Sequence, residues 1–360
     1  MRVAFRVDAS IQIGNGHVMR CLTLANALRL RGAHCSFISK PHAGHLLNLV
    51  TEHEHSAISL PLSEPIEMQP EFRINRHQPD WLSDAEHTRQ ALTSNDIDWL
   101  VADHYSIDHR WENAVRPFCK KLMVIDDLAN RSHECDLLLD QNLGRISEDY
   151  LALVQSDAKV LVGPKYALLR DEFSHWRQYS LQNRKISNLG NLLVSMGGVD
   201  VNNMTEQVLE ILRDCKLPSN LKITVILGPH APWLTQVRRK ATEMPWPTEV
   251  LINTNQMARL MAESDLSIGG AGTTAWERCA LGLPSFVFVL AENQRAGAES
   301  LQQHGAAMVF NDVKELKSLL DEWSESNSYS RLNEISAAAA QITDGKGVLR
   351  VIHEMLSLND

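Results

Sequence analysis

Nowhere in the 360 residues do about 18 apolar residues follow one another, so no membrane-spanning helix is expected. The opening MRVAFRVDAS is too short and too polar for a secretory signal, and the expected location is the cytoplasm. Positive charge is also scarce. With 35 Lys and Arg against 44 Asp and Glu, the net charge of −9 argues against a general nucleic-acid surface, which needs a basic field to displace counterions from phosphates. A local basic pocket stays open. The six cysteines, at 21, 35, 119, 135, 215 and 279, form no C-x-x-C pair and lie in apolar contexts, so buried free thiols are expected rather than a zinc or redox centre. Asp103-His104-Tyr105 has the composition of a metal or acid/base cluster but lacks an H-x-x-x-H or similar pairing, and no metal is expected there. Internal repeats and low-complexity segments are missing as well.

What is present is an ordinary apolar fraction of 44% and enough chain for two cores, since domains hold roughly 100–200 residues. Short strand-like runs alternate with helical patterns at 2–7, 33–39, 55–60, 98–103, 121–127 and 135–140. Such alternation implies a parallel sheet covered by helices on both faces. The proline-rich stretch 61–80 interrupts it and reads as a loop of the kind that forms lids or binding edges. A polar helix and connector, 166–190, leads to a second alternation with strands at 191–198, 222–228, 249–253, 265–270, 284–290 and 306–310. The expected domains are therefore 1–165 and 191–340, with a C-terminal helix over 341–360. Two α/β domains joined by a connector leave a cleft, and clefts between domains are preferred ligand sites. Ligands of such sheets bind beyond the carboxyl ends of the strands, where Asp8, Asp103, His104, Tyr105, Asp126, Asp127 and Gln141 fall.

The first strand runs into a loop with Gly14 and Gly16, after which His17 opens a helix with apolar positions Val18, Cys21, Leu22, Ala25 and Leu28. Glycines let a ligand approach the backbone, and the free N–H groups of a first helical turn attract anions. A dinucleotide fingerprint fails because Met19 occupies the third glycine position and no acidic residue closes the next strand, which ends Ser39-Lys40. A Walker-type phosphate loop is absent too. His17, at the positive end of a helix dipole, is the candidate proton acceptor, and Asp8 is the carboxylate expected to orient it.

In the second half, Gly269-Gly270-Ala271-Gly272-Thr273-Thr274-Ala275-Trp276-Glu277 follows the strand DLSI. Gly270 and Gly272 would admit a diphosphate against bare backbone, Thr273 and Thr274 would add hydroxyl donors, and Glu277 could take both hydroxyls of a ribose. A capping box of Thr274 with Glu277 accounts for part of the same pattern. Two further loops, Met196 to Asp200 and Ala291 to Gln294, are expected on the same side; the amides of Asn293 and Gln294 suit sugar hydroxyls, although Asn293 can equally serve as a helix cap.

The blocks RVDAS-x-x-IGNGHVMRCLTLA at 6–25, DHY at 103–105, VIDDLANR at 124–131, LLLDQNLG at 137–144, GPKYALLRDEF at 163–173, SMGGVD at 195–200, GGAGTTAWE at 269–277 and LAENQ at 290–294 together resemble the UDP-sugar hydrolases of pseudaminic acid biosynthesis. The GGAGTT block is shared more loosely with the transferase that adds N-acetylglucosamine to lipid I. The resemblance implies the B-type glycosyltransferase fold, two Rossmann-like α/β domains facing a cleft, with UDP held mainly by the C-terminal one. It also implies metal-independent attack of water at the anomeric carbon, releasing UDP and the free sugar with inversion; a monomer without a cofactor is expected. By similarity His17 positions or deprotonates the water, Met257 and Glu277 contact uridine, and Gly272, Thr273 and Thr274 contact the diphosphate. A glycosyltransferase of the same fold and a non-catalytic nucleotide-sugar binder remain as alternatives, because binding UDP and stabilising its departure make the same demands on the glycine loops.

Overall fold

The computed structural model describes residues 1–62, 81–92, 96–229, 231–326 and 329–358. Most of the proline-rich stretch expected as a binding-edge loop, residues 63–80, lies outside the described residues. The chain divides into two units, Met1–Leu168 with Val348–Asp360, and Leu169–Gly347.

The first unit contains β1 (Arg2–Val7), α1 (Gly16–Arg29), β2 (His34–Ser39), α2 (Leu47–Glu52), β3 (Ser56–Ser59) and α3 (Trp81–Leu92). It continues with β4 (Ile97–Asp103), α4 (His109–Val115), β5 (Cys119–Ile125), β6 (Leu137–Asp140) and β7 (Lys159–Val162). All neighbours pair in parallel in the order β3-β2-β1-β4-β5-β6-β7. A parallel sheet is buried on both faces, so its strands read as nearly continuous apolar runs. Along β1, Val3, Phe5 and Val7 pack with α1 residues Val18, Cys21, Leu22, Ala25 and Leu28, whereas Ala4 belongs to the opposite layer with Trp111 of α4. Each fully buried side chain of this size contributes roughly 1.5–3 kcal/mol of burial free energy.

In the second unit come α5 (Asp171–Asn183), β8 (Asn191–Ser195), α6 (Met204–Arg213), β9 (Lys222–Leu227), α7 (Leu234–Thr242), β10 (Thr248–Ile252) and α8 (Met257–Glu263). There follow β11 (Leu266–Gly270), α9 (Thr274–Ala280), β12 (Ser285–Phe288), α10 (Arg295–Gln303), β13 (Met308–Phe310), α11 (Val313–Ser326) and α12 (Tyr329–Ile342). This sheet is parallel in the order β10-β9-β8-β11-β12-β13, and its core joins Leu192 and Val194 of β8 to Val208, Leu209 and Leu212 of α6. The last helix, α13 (Gly347–Ser357), brings Val348, Val351, Ile352 and Met355 into the core of the first unit beside β1 and α1.

In both sheets the strand order reverses about the first strand, between β1 and β4 and between β8 and β11. The crevice beyond the carboxyl ends at such a switch point is where open α/β sheets bind ligands. The glycine loop with His17 follows β1, and Asp103 ends β4; the second glycine run ends β11. All six cysteines are free, five of them buried and Cys119 half-buried. No helix among the described residues is long and apolar enough to cross a membrane.

Candidate active site

In the first unit the loop after β1 folds on itself. Gly14 donates its N–H to the Ser10 carbonyl at 2.8 Å, and the Ser10 hydroxyl accepts from the Ile13 N–H at 2.9 Å. Gly14 has φ +83°, and a Cβ there would meet nothing within 4 Å. Its backbone conformation, rather than room for a ligand, therefore demands glycine. Gly16 is the first residue of α1, which sets His17 in the first turn with only 8% exposure.

The ring of His17 lies 2.6 Å from Asp103 through Nδ1 and Oδ1. Arg20, one turn along the same helix, donates Nε and Nη2 to the two oxygens of Asp103 at 2.6 and 2.7 Å, and Nη1 and Nη2 to Asp127 at 2.9 Å each. Burial by itself would push the Asp103 carboxyl upward; Arg20 and His17 outweigh it and hold the group well below the usual carboxylate range. An ionised carboxylate only accepts, and the Nη2 hydrogens of Arg20 are spent on Asp103 and Asp127, so His17 Nδ1 carries the proton and donates it to Asp103. In the neutral ring Nε2 is then the accepting nitrogen, and it has no hydrogen-bond partner among the described residues. Tyr105 stands edge-on to the ring at 4.6 Å between centroids, and its hydroxyl donates to Asp127 at 3.1 Å. A carboxylate-oriented imidazole with one free nitrogen is the arrangement of a general base.

Asp8 does not orient His17. It is 1% exposed and accepts from Arg6 at 2.7 and 2.9 Å, from the Lys40 N–H at 2.8 Å and from His104 Nε2 at 3.2 Å. The reason lies in β1 itself: Arg6 points into the apolar layer that Ala4 joins, is fully buried, and needs both Asp8 and Asp84 as counter-ions. Asp8 is thus consumed by the core and is not available to a substrate. Another pair of carboxylates sits beyond β5 and β6, where Tyr150 Oη lies 3.0 Å from Asp126 and 2.8 Å from Asp140. Burial, with repulsion from Asp127, pushes Asp140 up to about 7.

In the second unit the glycine run divides. Gly270 is buried within β11, where an added Cβ would come 2.9 Å from Leu290, so this residue spaces the core and does not face a ligand. The exposed part of the turn is Gly272-Thr273-Thr274, all half-buried. Thr273 occupies the cap position of α9 without a side-chain capping bond, so the Thr274–Glu277 capping box does not form at this end. By contrast Asp200 caps α6, accepting from the N–H groups of Met204 and Thr205 at 2.9 Å each, and satisfies that first turn internally. A Cβ at Gly272 would stand 3.5 Å from Gln294 Nε2, so Gln294 and the glycine turn are neighbours. Gln294 also accepts from the Leu290 N–H at 3.1 Å. Asn293 lies exposed in the same 3-10 turn, Glu292–Gln294. Met257 opens α8 and is half-buried. Glu277 lies 3.7 Å from Arg170, and Arg170 also pairs with Glu172 at 2.9 Å. Burial raises the Glu277 carboxyl to about 7, Arg170 opposing and Glu172 adding to the shift.

Sequence reasoning did not find Arg20 or the pairing of His17 with Asp103. The first had a signal, a basic residue three positions after His17 and so on the same helix face; the second becomes visible once β1 and β4 are neighbours.

The two parallel α/β units have the B-type glycosyltransferase fold. The chain matches the structure of MurG from Acinetobacter baumannii with a TM-score of 0.72 at 16% identity, over 99% of each chain. Residues 191–348 match the glycosyltransferase family 28 C-terminal domain. Along the sequence, the chain is 26% identical over 306 residues to the UDP-2,4-diacetamido-2,4,6-trideoxy-β-L-altropyranose hydrolase of Campylobacter jejuni, covering 85% of this chain and 97% of that protein. It is 25% identical over 319 residues to an uncharacterized protein of Methanocaldococcus jannaschii, covering 88% of this chain and spanning 61% of that protein's length. The resemblance carried by the motifs extends over most of the chain.

Proposed function

We propose that the chain hydrolyses a UDP-sugar, and that the sugar is the 2,4-diacetamido-2,4,6-trideoxy-β-L-altropyranose named for the Campylobacter relative. In this reading it is a cytoplasmic enzyme of pseudaminic acid biosynthesis and flagellin glycosylation. The observation that carries the reading is His17, fixed by Asp103 with its proton on Nδ1 and Nε2 left to accept. A water oxygen forms the new bond to the anomeric carbon, Nε2 takes the water proton, and the bond from that carbon to the diphosphate oxygen breaks with its electron pair leaving on UDP. Attack on the face opposite the leaving group inverts the centre. The second unit holds the nucleotide, with Gly272, Thr273 and Thr274 on the diphosphate, Glu277 on the ribose, Met257 beside uracil, and Gln294 and Asn293 near the sugar. Hydroxyl and backbone donors already in place stabilise the charge that develops on the departing diphosphate.

The match of 191–348 to a glycosyltransferase domain favours one second reading, transfer to an acceptor hydroxyl in place of water. Incubation of the UDP-sugar in ¹⁸O-water without acceptor separates the two. Hydrolysis at carbon gives UDP and sugar carrying the label; label on UDP means attack at phosphorus and removes the mechanism. Turnover that appears only when an acceptor is added identifies a transferase, and UDP binding without any turnover identifies a binding protein.

A further inference from the structure

Arg278 follows Glu277 on α9 and is 1% exposed. Its Nη2 donates to the Gly270 carbonyl at 2.6 Å, while Nε and Nη1 are buried without a hydrogen-bond partner. No carboxylate among the described residues forms an ion pair with it. Two half-buried arginines of this unit have structural work: Arg177 donates to the carbonyls of Ala280, Ala340 and Thr343, and Arg184 to those of Met261, Ala262 and Ser264, at helix ends. Burial lowers the Arg278 guanidinium to about 10, so it is still charged at neutral pH. The chain makes room for it: a Cβ on Gly269 would stand 2.4 Å from Nη1 and 2.5 Å from the Ser195 carbonyl. A buried cation without a counter-ion is costly, and the structure gives up a side chain at position 269 to keep one here.

We infer that Arg278 is a positioning residue for the nucleotide's phosphates: the anion that balances it is the diphosphate on the Gly272–Thr274 turn, felt through the intervening backbone of 269–271. This rests on the reading of the second unit as the UDP site. The charge then favours ligands in proportion to their phosphate charge, UDP over UMP over uridine, and leaves uridine recognition alone.

The test is calorimetric binding of UDP, UMP and uridine to the full-length protein and to Arg278→Met, Arg278→Gln and Arg278→Lys, with circular dichroism to establish folding. UDP affinity is expected to fall tenfold to a hundredfold in either neutral variant, UMP affinity to fall less, and uridine affinity to stay within twofold. Arg278→Lys keeps the charge and keeps the UDP-over-uridine preference within about threefold. Equal losses for all three ligands, an unchanged UDP affinity in a folded neutral variant, or loss of the preference in Arg278→Lys each overturn the inference. If neither neutral variant folds, the lysine variant decides. A wild-type protein that binds no UDP refutes the function itself, whereas normal wild-type binding with unaltered variants refutes this inference alone.

Discussion

Replacing Asp103 by Asn keeps the size of the side chain and removes its charge. Asp103 meets donors on both oxygens, Nε of Arg20 on Oδ2 and Nδ1 of His17 with Nη2 of Arg20 on Oδ1. An Asn has one oxygen. The guanidinium, still pinned by two 2.9 Å bonds to Asp127, cannot turn away, so either way round the amide sets its NH₂ group against one Arg20 donor, and with the oxygen on Nε the NH₂ group also faces His17. In that orientation Nδ1 must accept, the ring proton moves to Nε2 and the base is lost to the wrong tautomer; in the other, the imidazolium formed during turnover has lost its counter-charge. General-base assistance contributes about 10²–10⁴-fold, so kcat is expected to fall by that factor, about 3–5 kcal/mol in barrier. Release of UDP from the UDP-sugar measures it under single-turnover and steady-state conditions. UDP affinity serves as the internal control, because the residues proposed to hold the nucleotide lie in the second unit with its own core, and it should stay within twofold. A kcat within threefold of wild type, with folding and UDP binding intact, refutes the assignment of Asp103 and weakens that of His17.

Three further outcomes follow from the same geometry. The Asp140 carboxyl is raised to about 7 from an ordinary value near 3.8, so the folded state keeps a proton that the unfolded state loses, and stability declines as pH rises from about 4 to about 7. Asp140→Asn should match wild type at pH 4 and melt higher at pH 8 in calorimetric scans; equal melting at both would remove the strain argument. Uridine, which does not titrate in this range, should bind more tightly as pH rises through about 7 if the ionised Glu277 accepts its ribose hydroxyls, and Glu277→Gln should flatten that profile. Gly269→Ala places a methyl 2.5 Å from the Ser195 carbonyl and 2.4 Å from Arg278, and should cost about 1–3 kcal/mol or more, seen as a lowered urea midpoint; an undisturbed midpoint would show that β11 can shift freely.

The two sheets were legible because strands buried on both faces write themselves as unbroken apolar runs, and glycine turns punctuate them. β7 escaped: at four residues, with Lys159 exposed, KVLV at the sheet edge carries too little pattern. His17 was singled out from its place after a glycine loop, and the carboxylate expected to orient it was Asp8, which is near in sequence and spent on Arg6. The true partner is 86 residues away and arrives through the pairing of β1 with β4, a long-range fact that no local pattern encodes. Likewise one run of glycines proved to do two jobs, Gly269 and Gly270 clearing space inside the core and Gly272 opening the turn.

The placement of α13 bears on how the molecule is made. Its four buried apolar residues complete the core around β1 and α1, yet they are synthesised after the whole of the second unit. On the ribosome the second unit can therefore close first, while the layer beneath His17 waits for the last helix to emerge. A fragment comprising residues 1–168 alone would leave that apolar layer open to water and prone to self-association, and supplying 347–358 as a separate peptide or a fused tail should rescue it.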